Sequence, residues 1–185
     1  MIYTFLNLKM VGILVGIVLL LGHVIALVRK DSTRAWLLAF PRSRFWGRAL
    51  ALGAAIWAFL LVAGMDLGEF TPYRTLFMVV IPAAAILSIR YVDEFLAVRA
   101  TGMLLILAAE PVLEAAFLRP EKSRLLLVLL AYAWASFGML WVGMPYLMRD
   151  QIRWLLKSEF RWSAALYLGL AYGAAILVCA FALYA

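Results

Sequence analysis

The chain has 185 residues, 68% of them hydrophobic and 15% charged, against roughly 45–50% apolar and about 25% charged in an ordinary soluble domain. Apolar stretches of about 18 residues or more recur along its whole length, each long enough to cross roughly 30 Å of hydrocarbon as a helix, so one polytopic membrane domain over 1–185 is expected, with no segment of it left over for a soluble domain. The single cysteine, Cys179, excludes an internal disulfide framework, and the net charge of +7, gathered at the ends of apolar stretches, points to anionic lipid headgroups and away from nucleic acid.

The first predicted span is 8–28. It follows no basic cluster and carries no small-residue cleavage pattern, so it reads as a retained helix and not a signal peptide. Its "GILVG" places Gly12 and Gly16 four apart, a spacing that lets a neighbouring helix approach closely. His23, the only histidine, is a candidate proton or ion ligand, but a lone imidazole cannot build a bis-histidine haem or a His-rich metal site. A hydrogen-bonded structural histidine is the competing reading.

The connection "RKDSTRAWLLAFPRSRFWGR" (29–48) predicts a short interfacial helix over about 32–40. Asp31, Ser32 or Thr33 can cap it and Pro41 stops it. Its residues divide between a basic face with Arg34 and an apolar face with Trp36, Leu37 and Phe40. Spans at 48–65 and 73–90 follow, joined by an acidic turn, "DLGEF".

The fourth span, 95–117, concentrates intramembrane charge. A charge at mid-bilayer costs about 2.5–3.5 kcal/mol on insertion scales and persists where it is paired, hydrated or used. The entry "RYVDEFLAVR" offers a charge cluster of Arg90, Asp93 and Glu94, in which Arg90 and Glu94 can pair if the helix is continuous. Arg99 and Glu110 are eleven residues apart, nearly the same helix face and about 16 Å along the axis. Glu114 lies one turn further. Pro111 removes a backbone hydrogen bond and frees the carbonyl of Leu107. Glu110, Glu114 and Arg99 are therefore the candidate substrate or ion-binding residues, with a structural pairing of Glu110 to Arg119 or Arg124 as the alternative.

The fifth span, 125–147, places Trp134 and Trp141 on one face, to line a pocket or to pack. "RDQIRWLLKSEFRW" then predicts a second interfacial helix over about 149–159, and the sixth span is 162–184, with "GLAYG" (Gly169, Gly173) inside it. Headgroup contacts are expected from Arg34, Trp36, Arg42, Arg44, Arg153, Trp154, Lys157 and Arg161. Both interfacial stretches contain Trp-Leu-Leu and lead into similar openings, "WGRALALG" and "WSAALYLG", which suggests that 8–65 is repeated as 125–184.

Twelve of the 17 basic residues fall on one side of this topology and five on the other. The positive-inside rule then puts both termini outside and the two interfacial helices in the cytoplasm, fitting a bacterial inner membrane. No HExxH, P-loop, GxSxG or CxxC occurs, so no metal or other cofactor is expected and an enzyme is disfavoured. The expected fold is an all-α bundle of six transmembrane helices with two cytoplasmic interfacial helices. The leading functional expectation is proton- or cation-linked movement of a small solute or ion through Glu110. A non-catalytic subunit of a membrane complex, with a homo-oligomeric or unrelated partner, is the alternative. A lipid-modifying enzyme using Asp93 and Glu94 comes third.

Overall fold

A computed structural model describes residue 3, residues 6–92 and residues 94–184. Among them the chain is helical without strands: α1 (Leu8–Val28), α2 (Lys30–Ala39), α3 (Arg44–Gly64), α4 (Arg74–Tyr91), α5 (Leu96–Ala116), α6 (Arg124–Gly143), α7 (Tyr146–Leu156) and α8 (Glu159–Ala182), with 3-10 turns at Phe40–Arg42 and Gly68–Tyr73. Six of these helices are long and apolar enough to cross a membrane, α1, α3, α4 with its lead-in turn, α5, α6 and α8. The short α2 and α7 lie together at one end of the bundle.

Boundaries of α3, α6, α7 and α8 differ by three or four residues from the sequence reading. α3 starts four residues earlier, because the Ser43 side chain caps it by accepting from the Trp46 amide at 3.3 Å. α6 stops at Gly143, where Met144 leaves helical geometry (φ −128°, ψ 72°) ahead of Pro145. α8 begins at Glu159, after an extended Ser158, so the second interfacial helix ends at Leu156.

α5 is the hub. It packs on α6, α3 and α1, while α8 packs along α1 and α4 leans on α3. One core cluster joins four helices through Leu8, Val11 and Val15 of α1, Ala109 and Val112 of α5, Leu127 and Ala131 of α6, and Ile176 and Ala180 of α8. Between helices that are all apolar, close packing by small residues replaces hydrophobic burial as the attraction. The two glycine pairs seen in sequence both lie in the α1–α8 seam, where Gly16 meets Gly173. A Cβ at Gly12 would fall 3.0 Å from the Cβ of Ala180, and one at Gly16 would fall 3.2 Å from the Gly173 carbonyl oxygen. The register runs in opposite senses along the two helices, so α1 and α8 are antiparallel.

A second seam involves isolated glycines. A Cβ at Gly102 of α5 would lie 2.7 Å from the Gly138 carbonyl oxygen, and one at Gly138 of α6 would lie 2.6 Å from that of Gly102. Here the two backbones are in direct contact.

Arginines tie helix ends to the following chain. Arg74, the first residue of α4, donates to the carbonyls of Ala63 (3.4 Å) and Met65 (2.6 Å) at the end of α3. Arg124, the first of α6, donates to Ala116 at the end of α5 (2.7 Å). Arg161 donates to Trp154 near the end of α7 (3.1 Å) and stacks on its ring at 4.5 Å. Each cation meets unsatisfied carbonyls and the negative end of a helix dipole.

At the α2/α7 end, Glu159 opens α8 and pairs with Lys30 (2.6 Å) and Arg34 (2.5 Å). Arg34 also sits 5.2 Å over the buried Trp162 ring. Arg34 is thus a clamp between α2 and α8, a role beyond headgroup contact. The Glu159 side chain is 64% exposed, so water competes for it. Glu159→Gln is expected to lower the thermal midpoint by no more than about 2 °C in a detergent melt followed by circular dichroism.

Candidate functional site: a carboxylate-walled cavity

α5 passes without interruption through Pro111, so Glu110 and Glu114 stay in helical register on one face. Both line a cavity of ≈610 Å³, together with Ile106, Leu113 and Ala135. The cavity opens at the end of the bundle opposite α2 and α7, where Asp66, just past the end of α3, joins its wall. Glu110 is exposed and Glu114 half-buried. One Glu114 oxygen, Oε1, is shielded and has no hydrogen-bond partner among the described residues. No ion pair to Glu110, Glu114 or Asp66 is found among those residues either. Three carboxylates therefore converge on one space.

Tyr3, hydrogen-bonded to Trp57, feels the field of two of them. The Trp57 indole donates to the Tyr3 hydroxyl at 2.7 Å. Burial raises the Tyr3 phenol above its ordinary value; the Trp57 bond opposes the rise, and the fields of Glu110 and Glu114 add to it. Tyr3 is thus held protonated within electrostatic reach of both carboxylates.

The alternative pairing of Glu110 with a nearby arginine is not what these residues do. Arg124 serves the Ala116 carbonyl, and Arg119 is exposed.

Arg99 belongs elsewhere. Its guanidinium donates to the Val142 carbonyl at the end of α6 (3.0 Å), the same helix-end device used by Arg74 and Arg124. It lines a different cavity of ≈440 Å³ between α3, α4 and α5, whose other wall residues are half alanine, with Ala51, Ala54, Ala84 and Ala100 among them. Ile106 borders both cavities. The three charges thus share a helix but are divided between two spaces.

His23 lines neither cavity. Its Nδ1 donates to the Leu19 carbonyl of its own helix at 2.7 Å, and its ring fills the space over Gly169, where an added Cβ would come 2.0 Å from Nε2. That is a packing role in the α1–α8 seam. Trp134 packs against the core, while Trp141 stacks on Phe137 and donates to Gln151.

Of the entry cluster, Asp93 lies outside the described residues. Arg90 and Glu94 are both exposed, and the helix between them ends at Tyr91 before Phe95 turns left-handed at φ 57°. They do not share a continuous helix face. Among the described residues no group of three or more His, Cys, Asp or Glu side chains is arranged to hold a metal ion.

Asp66 and Tyr3 are the residues that sequence reasoning did not bring to the site. The only signal was that the acidic turn and the N-terminal segment fall on the side predicted for Glu114. No family model, curated protein or solved structure matches this chain.

Proposed function

We propose that the chain moves a cation, or a small solute coupled to a cation or proton, through the bundle, with Glu110 as the binding or protonatable group. The observation that carries this reading is the ≈610 Å³ cavity walled by Glu110, Glu114 and Asp66 with no basic side chain among its lining residues. Such a cavity concentrates cations, and a carboxylate on a candidate span is costly unless hydrated or used. Glu114 and Asp66 guard the mouth. Ile106, common to this cavity and to the alanine-lined one that reaches Arg99, is the apolar constriction where passage is controlled. The basic excess on the α2/α7 end supports a bacterial inner-membrane location, with that end cytoplasmic against anionic headgroups and both termini outside.

The test is gradient dissipation. Vesicles holding the purified chain are expected to collapse an imposed proton, sodium or potassium gradient faster than empty vesicles, and rates no faster than those of empty vesicles for every one of the three overturn the reading.

A second reading, a non-catalytic subunit of a membrane complex, is favoured by α4. That helix buries none of its residues and packs chiefly on α3, leaving a flank on which another membrane helix fits. Purification in native lipid discriminates: an unrelated partner in fixed stoichiometry supports this reading, and the chain alone or with its own copies supports the first.

A further inference from the structure

The α2/α7 end holds a small cavity of ≈170 Å³ that the carboxylate site does not explain. Leu37 and Pro41 wall it from one side and Ile152 from the other, and Arg42, Arg149 and Arg153 all line it. Two of these cations are held in place. The Arg42 and Arg149 guanidiniums lie 6.0 and 5.8 Å from the centroid of the same ring, Phe95, whose left-handed backbone forms the turn between α4 and α5. The third stands one helical turn beyond Arg149 on α7.

Charge balance is incomplete. Arg149 is paired with Asp150 at 2.8 Å, and no ion pair to Arg42 or Arg153 is found among the described residues. Three guanidiniums less one carboxylate leave two positive charges around a space floored by aliphatic side chains. The Arg149 hydrogen bond, reinforced by the fields of Arg149 and Arg153, holds Asp150 below its ordinary 3.8, so that carboxylate stays ionised and the balance does not change near neutral pH. Converging guanidiniums repel one another and offer forked donors matched to an oxyanion.

We propose that Arg42, Arg149 and Arg153 form a binding site for a phosphate group, carried either by an anionic lipid headgroup or by a free phosphate. The aliphatic floor accommodates the glycerol or acyl-proximal part of a lipid. The Phe95 platform distinguishes this site from the general basic surface, because it positions two cations in advance of binding.

The experiment uses the full chain in phosphatidylcholine nanodiscs. Native mass spectrometry follows binding of added phosphatidylglycerol, and isothermal calorimetry follows inorganic phosphate. Arg42→Gln/Arg153→Gln is expected to weaken binding by about tenfold or more, while Arg48→Gln/Arg90→Gln, which removes the same charge away from the cavity, leaves it within about twofold. Arg153→Lys separates a built site from diffuse attraction, since it keeps the charge and loses the fork; a several-fold loss is expected, on a scaffold whose fold is checked by its melt. Binding of the lipid alone assigns a headgroup, and binding of inorganic phosphate assigns a free anion. Binding of neither, or equal losses in the two double variants, overturns the proposal.

Discussion

Glu110→Gln is expected to reduce flux through reconstituted vesicles to the rate of empty ones while the protein expresses and melts as the native chain does. The two halves of that expectation come from different observations. Glutamine preserves shape but neither titrates nor attracts a cation, so a carrier that depends on this carboxylate stops. Glu110 is exposed to its cavity and has no ion pair among the described residues, so its removal leaves no buried charge unmatched. A structural carboxylate behaves in the opposite way: breaking a buried pair costs about 3–5 kcal/mol. Glu110→Asp keeps the charge with a shorter reach and should retain partial flux. Glu114→Gln and Asp66→Asn weaken only the field at the mouth, and should raise the half-saturating cation concentration by a few fold at low salt, an effect that fades as ionic strength rises. Undiminished flux in Glu110→Gln removes this residue from the mechanism.

The largest structural effect is expected at the α5–α6 seam. In Gly138→Ala the new methyl would lie 2.6 Å from the Gly102 carbonyl oxygen and 2.7 Å from Ile106 Cγ1. A side chain can rotate away from such a clash, but a backbone carbonyl inside a helix cannot, so the helices must separate. Overpacking of this kind costs about 1–3 kcal/mol, and Gly138→Val should exceed Gly138→Ala. Gly53→Ala is the control, since nothing lies within 4 Å of its added Cβ. Removing a glycine from an open helix position stabilises by roughly 0.5–1 kcal/mol, so the two alanine variants should shift the melt in opposite directions. Equal shifts would mean that α5 and α6 do not touch as described. The seam also holds Val142 beside Gly102, and Val142 is the residue whose carbonyl receives Arg99. Gly138→Ala should therefore disturb Arg99 as well as the core.

The helices were legible because hydropathy is a long-range average over many residues, and their ends were less so because single residues decide them. "RSRFWGR" is too charged to extend an apolar window, yet Ser43 makes it the first turn of α3. The face shared by Glu110 and Glu114 follows from a spacing of four. The arrival of Asp66 at the same cavity is a tertiary event with no local trace. Arg99 shows a different limit. Its place on the face of Glu110 made it a candidate ion-binding residue, but its guanidinium donates to a backbone carbonyl at a helix end, and every residue type carries one. In the same way, paired glycines at GxxxG spacing announced the α1–α8 seam, whereas neither Gly102 nor Gly138 has a glycine four residues away, so they carried no such pattern.

The pairing of α1 with α8 also constrains how the molecule can be made. A ribosome delivers the first helix while the last is still unsynthesised, and about 150 residues separate the two seams of glycine. During that interval Gly12 and Gly16 lack the α8 partners they have in the folded chain. α3, α5 and α6 can assemble around the Gly102–Gly138 contact first, since they are close in sequence. Closure of α8 onto α1 must then follow the α3–α5 and α5–α6 contacts in the order of synthesis. Ribosome-stalled chains truncated before Glu159 should retain the α5–α6 contact and leave the α1 glycine face open.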